Sequence, residues 1–88
     1  MKLKYEFETT VLDNQIIAVP VGDHSREFSG FLKLNKSAAA VLRLLKEETT
    51  VEGIVSSLLK EYEGTEEEMT AFVDKFTNKL RKEKLLNE

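Results

Sequence analysis

The spacing of apolar residues changes along the chain, from alternation in the first third to helical periodicity in the rest. Tyr5, Phe7, Thr9 and Val11 alternate with charged and polar residues, as in a strand with one solvated face. After Asn35, apolar residues instead recur three and four positions apart. This change predicts an α+β fold, in which an N-terminal three-stranded antiparallel sheet packs on a three-helix, winged helix-turn-helix-like bundle.

Turn-forming residues divide the first third into three predicted strands. Asp13-Asn14 ends the first strand, and the second strand runs from Gln15 to Val21. Pro20 cannot donate a hydrogen bond to a neighbouring strand, so we expect it near the end of the second strand or on its unpaired side. A polar loop leads to the third predicted strand, Phe28 to Leu34.

Three helices are predicted after the sheet. Asn35 is suited to cap the first, because its side-chain oxygen can accept a hydrogen bond from the first turn. The second runs from Val51 to Tyr62 and the third from Glu66 to Lys84. Their apolar stripes predict a core that includes Leu42, Leu58, Phe76 and Leu80.

Short motifs mark the boundaries of the second and third helices. Thr49-x-x-Glu52 and Thr65-x-x-Glu68 have the form of capping boxes, in which the two side chains satisfy backbone donors reciprocally. Gly64 is predicted to occupy the C′ position of the second helix, where a positive φ is needed.

The order and spacing of these elements resemble the PqqD family, small winged-helix proteins that bind leader segments of ribosomally made, post-translationally modified peptides. The resemblance runs from about Gln15 to Leu86. Four signals carry it: the Leu34-Asn35 junction, the Ala- and Leu-rich first helix, the run Thr50 to Val55, and the closing Phe76-x-x-x-Leu80 with Leu85-Leu86. The chain departs from the family at Lys46 to Thr49, where members commonly carry an Asp-Gly-like turn.

The resemblance implies a non-catalytic peptide chaperone. In the family, the leader joins the third strand and lies in a groove between that strand and the third helix, and the modifying enzyme is typically a radical S-adenosylmethionine protein. The enzyme's iron–sulfur clusters belong to the enzyme, so this chain is expected to hold no cofactor. Transferred to this sequence, the peptide-binding residues are Phe28, Ser29, Gly30, Phe31, Leu32 and Lys33 of the strand and Phe72, Lys75, Phe76 and Lys79 of the helix.

Each of these side chains also has a purely structural interpretation. Phe72 and Phe76 either pack only in the core or also line the groove. Lys75 and Lys79 are one turn apart, and either remain solvated or pair with acidic leader residues. Alternation places Phe31 on the other face of the strand from Leu32 and Leu34. Its side chain therefore either pairs with the neighbouring second strand or contacts the peptide.

Composition limits the number of domains, the kinds of catalytic or metal site, and the location of the protein. A chain of 88 residues, 41% apolar and 33% charged, fits one domain spanning residues 1–88. The absence of cysteine excludes disulfides and thiolate metal sites, and the single histidine, His24, is expected to be a solvated loop residue rather than a catalytic or metal-binding group. The sequence contains neither a signal peptide nor a run of roughly 18 apolar residues that could span a membrane, which predicts a cytoplasmic protein.

Two alternative functions belong to other classes. A winged helix can serve as a DNA-binding regulator, but the net charge of −3 offers no surplus of Lys and Arg to neutralise phosphates. We therefore expect no nucleic-acid partner. A structural dimerisation module would use a fixed apolar patch and would be oligomeric without any peptide.

Overall fold

The computed structural model describes residues 1–21 and 30–88, in which strands precede helices. The elements are β1 (Lys2–Leu3), β2 (Phe7–Leu12), β3 (Gln15–Pro20), β4 (Leu32–Leu34), α1 (Lys36–Leu44), α2 (Val51–Glu61), α3 (Glu66–Lys82) and β5 (Leu86–Asn87). Strands β2, β3 and β4 form an antiparallel sheet in that order, and the three helices follow it. The predicted α+β class is confirmed. His24 and the loop around it lie outside the described residues.

A tight turn joins β2 to β3, as the sequence predicts. Asp13 and Asn14 have φ values of 50° and 66°, so both adopt the left-handed conformation that a two-residue hairpin needs. Leu12 and Gln15 close the hairpin as a directly opposed pair. Pro20 is the last residue of β3, which confirms its predicted place near the strand's end.

The third predicted strand is shorter than expected. Phe28 and Ser29 lie outside the described residues, and β4 begins only at Leu32. The register of β3 with β4 would place Pro20 opposite Gly30, where proline has no N–H to donate. Gly30 also has a φ of 141°, which departs from strand geometry. Pairing between the two strands therefore ends at Leu32.

A two-stranded ribbon that the sequence did not predict joins the two ends of the described chain. Leu3 of β1 pairs with Leu86 of β5, and Leu3 N–H also donates to the Leu45 carbonyl at 2.8 Å. Arg81 donates to the Glu88 carboxylate from Nε at 2.8 Å and from a terminal nitrogen at 2.9 Å. These hydrogen bonds lower the pKa of Glu88 and raise that of Arg81. Two-residue strands are too short to show a period, which is why alternation did not reveal them.

Side-chain caps fix the starts of α1 and α3 where the sequence placed them. Asn35 Oδ1 accepts a hydrogen bond from Ala38 N–H at 2.8 Å. Thr65 Oγ1 accepts from Glu68 N–H at 3.1 Å, and Glu68 Oε1 accepts from Thr65 N–H at 3.2 Å. The second of these pairs is a complete capping box, as predicted.

The predicted start of α2 at Val51 is confirmed, but its predicted cap and its predicted end at Tyr62 are each wrong by one residue. Thr50, not Thr49, is the N-cap, and its hydroxyl oxygen accepts from Gly53 N–H at 3.1 Å. The backbone of Thr49 is held elsewhere, because its N–H donates to the Met1 carbonyl at 3.0 Å. At the other end Tyr62 is the C-cap, so Gly64, although its φ is 150°, lies one residue beyond the C′ position.

The core lies between the inner face of the sheet and the three helices. The four predicted core residues, Leu42, Leu58, Phe76 and Leu80, are all buried. The hairpin differs from the prediction. On the face of the first predicted strand that alternation predicts to be buried, only Phe7 is buried. Val11 on the same face is 70% exposed, since it borders an open hollow between the hairpin and α1.

Candidate functional site

The open edge of the sheet is formed by β4. Within the described residues, β3 is the strand that pairs with it, and no strand pairs with its other side. A strand in this position presents backbone donors and acceptors to which an extended peptide can add. The position of β4 therefore matches the geometry that strand addition requires.

The hairpin determines which backbone groups of β4 face outward. In a two-residue hairpin the closing pair, Leu12 and Gln15, exchanges backbone hydrogen bonds, and bonded and non-bonded pairs then alternate along the strands. The hydrogen bond from Val21 N–H to the Glu6 carbonyl, 3.0 Å long, follows the same alternation. Odd-numbered residues of β3 therefore bond to β2, and even-numbered residues face β4.

Lys33 is the residue of β4 whose backbone faces the open edge. Ile16 and Ala18 direct their backbone groups toward Leu34 and Leu32, respectively. Lys33 lies between these two bonded residues, so its N–H and C=O point away from β3. One donor and one acceptor in the middle of β4 are therefore directed toward the space that an added strand would occupy.

The side chains of this strand divide between the core and solvent as alternation predicts. Leu32 and Leu34 are each 7% exposed and belong to the core, whereas Lys33 is exposed. Phe31, just before the strand, is 53% exposed. Continuing the register places Phe31 across from Val19, which is itself exposed on the outer face of the sheet.

The predicted helix half of the site is one face of α3. The rings of Phe72 and Phe76 are stacked, with centroids 6.3 Å apart and planes inclined by 1°. Phe76 is only 8% exposed and serves the core, whereas Phe72 is half-buried and keeps an accessible edge. Lys75 and Lys79 are exposed and make no ion pair within the described residues.

The strand and helix halves of the predicted site are held by different neighbours. Strand β4 packs against β3 and α1, whereas α3 packs against α2 and β5. Among the described residues, Gly30 to Lys33 form one continuous segment, and Phe72 to Lys79 form another. Phe28 and Ser29, the first two predicted site residues, lie outside the described residues.

Two adjoining hollows in the described surface are lined by residues that sequence reasoning did not select. One lies between the β2–β3 hairpin and α1, with Val11, Lys36 and Arg43 among its lining residues. The basic residues Lys36 and Arg43, seven positions apart in α1, and Lys46 just after the helix were a signal available in the sequence. It went unused because the hairpin residues opposite it are recognisable only in the folded protein.

Comparisons with known proteins agree with this architecture. Residues 11–86 match the family model described as "Coenzyme PQQ synthesis protein D (PqqD)". A structure described as "TbiB1 in Complex with the TbiA(beta) Leader Peptide" is 18% identical, with a TM-score of 0.74, covering 99% of this chain and 95% of that chain. Another, "Lasso peptide synthetase B1 complexed with the leader peptide", is 16% identical, with a TM-score of 0.71, covering 99% and 96%.

At these identities the two structures support the fold alone. A comparison with curated proteins gives no match. Within the described residues, no helix is both long enough and apolar enough to cross a membrane. The family match spans most of the sequence and agrees with the element order found in the structure. The chain therefore belongs to the PqqD family.

Proposed function

We propose that this protein is a non-catalytic peptide chaperone, which binds the leader segment of a ribosomally made precursor and presents the precursor to a modifying enzyme. The observation that carries the proposal is the open edge of β4, where the backbone of Lys33 faces outward. Membership of the PqqD family supports it. Two proteins of similar fold were solved with leader peptides bound, which supports the same class of ligand.

Strand addition accounts for how a leader of variable sequence can be held. The Lys33 N–H and C=O would bond to the leader backbone, which supplies affinity that does not depend on leader side chains. Phe31 and the exposed edge of Phe72 would contact apolar leader residues. Lys75 and Lys79 would pair with acidic ones, while Phe76 supports the site from the core.

The proposed binding site comprises the residues predicted from the sequence: Phe28, Ser29, Gly30, Phe31, Leu32, Lys33, Phe72, Lys75, Phe76 and Lys79. Residues 1–88 would act as one peptide-recognition domain. The partner we propose is a radical S-adenosylmethionine enzyme acting in the cytoplasm, where newly made precursors are available. Its iron–sulfur clusters would supply the chemistry, and this chain would supply only recognition.

An NMR titration tests the proposal. A short precursor gene beside the gene of this protein would provide the leader sequence, and the synthetic leader would be added to labelled protein. We expect backbone shifts at Gly30 to Leu34 and at Phe72, Lys75 and Lys79. Shifts confined to β2 or to α2, or no shifts at all, would contradict binding at this edge. A matched scrambled leader controls for nonspecific association.

A further inference from the structure

A basic hollow lies between the β2–β3 hairpin and α1, away from the proposed leader site. Its volume is about 510 Å³, and its lining includes Val11 and Ile16 from the hairpin and Lys36, Arg43 and Lys46 from α1 and the residues just after it. A second hollow of about 920 Å³ adjoins it and also includes Lys46. Neither hollow is lined by a residue of the proposed leader site.

Positive charge is concentrated on these two adjoining surfaces. Together they are lined by five basic side chains and two acidic ones, namely Lys2, Lys4, Lys36, Arg43 and Lys46 with Glu6 and Glu8. The whole chain, in contrast, has a net charge of −3. The sign of the charge is therefore reversed locally, and this surface is complementary to an acidic partner.

The cations of the first hollow are available to a partner. Lys36 and Lys46 are exposed and make no ion pair within the described residues. Arg43 lies 3.6 Å from Glu61, but both side chains are more than half exposed, with relative areas of 62% and 54%. An ion pair so exposed to water is weak, so Arg43 can exchange Glu61 for another carboxylate.

The same hollow offers apolar surface between its cations. Val11 is 70% exposed, and Ile16, Ala39 and Tyr62 are half-buried along the lining. The small side chain of Ala39 leaves room for another backbone or side chain to approach α1 closely. Apolar surface flanked by cations favours an amphipathic ligand that carries both apolar side chains and carboxylates.

We propose that this hollow docks an acidic amphipathic segment of a partner protein. Apolar side chains of that segment would contact Val11 and Ile16, and its carboxylates would pair with Lys36 and Lys46. A nucleic acid fits less well, because Glu8 in the lining and the net negative charge of the chain both repel phosphate. Docking here leaves the edge of β4 open, so the proposal does not depend on leader binding.

The test uses two synthetic helices and a DNA duplex as probes. One helix has leucine on one face and glutamate on the other, and the matched helix has lysine in place of glutamate. Added to labelled protein at low ionic strength, the acidic helix should shift Val11, Ile16, Ala39 and Tyr62 more than Phe31 and Phe72 of the leader site. The basic helix should bind at least on the order of tenfold more weakly.

Charge-reversal variants test which lysines contribute to binding of the acidic helix. Lys36→Glu with Lys46→Glu should weaken the acidic helix on the order of tenfold, and most strongly at low salt, where screening is least. Lys60→Glu with Lys82→Glu makes the same charge change elsewhere and should have little effect. Equal binding of both helices, shifts confined to Phe31 and α3, no binding, or tighter binding of the duplex would each overturn the proposal. A dispersed spectrum of each variant verifies that it is folded.

Discussion

Leucine residues in α2 and in the β2–β3 hairpin differ in how far they are exposed to solvent. Leu58 of α2 is 1% exposed, whereas Leu12 at the tip of the hairpin is 56% exposed. Both belong to elements with a regular pattern, so periodicity alone does not decide burial. A pattern shows which side chains share a face, but only a neighbouring element can cover that face.

The two regions differ in what covers them. Helix α2 packs against both α1 and α3, and its apolar side chains Ile54, Val55 and Leu58 are buried between them. The far end of the hairpin has no such cover, and Val11 gains little from burial in the free protein. Burial of α2 thus contributes stability, whereas the far end of the hairpin leaves apolar surface accessible to solvent.

The largest expected effect concerns stability in the helical region. Leu58→Ala should lower the free energy of unfolding by about 2–5 kcal/mol, because it removes a fully buried side chain and leaves a cavity. Leu59→Ala is the matched control, since Leu59, the next residue in α2, is 37% exposed and its truncation should cost about 1 kcal/mol or less. Chemical denaturation measures both. Equal losses would show that the two faces of α2 do not differ as described.

The second prediction tests the open edge of the sheet. Lys33→Pro removes the outward N–H and should weaken leader binding on the order of a hundredfold, because it also leaves a leader carbonyl unpaired. The fold should suffer less, because this N–H has no partner in β3. Lys33→Ala separates the side chain from the backbone and should bind the leader nearly normally. Equal binding by the proline and alanine variants would rule out strand addition at Lys33.

The third prediction concerns the charged face of α3. Lys75→Glu with Lys79→Glu should weaken an acidic leader on the order of tenfold, with a larger effect at low salt. Isothermal titration at two ionic strengths measures the effect. Lys60→Glu with Lys84→Glu makes the same charge change outside α3 and serves as the control. Similar losses in both double variants would indicate a general charge effect, not contacts at this face.

The features that sequence predicted correctly are those determined by a few adjacent residues. Asn35 and Thr65 cap their helices, and Asp13-Asn14 forms the turn, because the chemistry of each is contained within about four positions. The apolar stripes of the helices likewise predicted the core correctly, since neighbouring helices cover them. The predicted site residues stay a prediction until a leader is tested.

The features that sequence did not predict depend on contacts between distant segments. The β1–β5 ribbon joins residues from opposite ends of the described chain, and its two-residue strands have no period to detect. The early end of the β3–β4 pairing follows from Pro20 facing β4, which requires the register of the hairpin. The hollow beside α1 requires Val11 and Arg43 to face each other across the fold.

The smallest expected effect concerns the N-cap of α2, for which the sequence offers two adjacent candidates, Thr49 and Thr50. Thr50→Ala should cost about 1 kcal/mol, because Gly53 N–H loses its acceptor. Thr49→Ala should cost less, since the Thr49 hydroxyl makes only a long contact of 3.5 Å to the Thr50 carbonyl, and its backbone bonds remain. Thermal unfolding of both variants measures the difference. A larger loss for Thr49→Ala would mean that Thr49 caps the helix in solution, as the capping-box pattern with Glu52 first suggested.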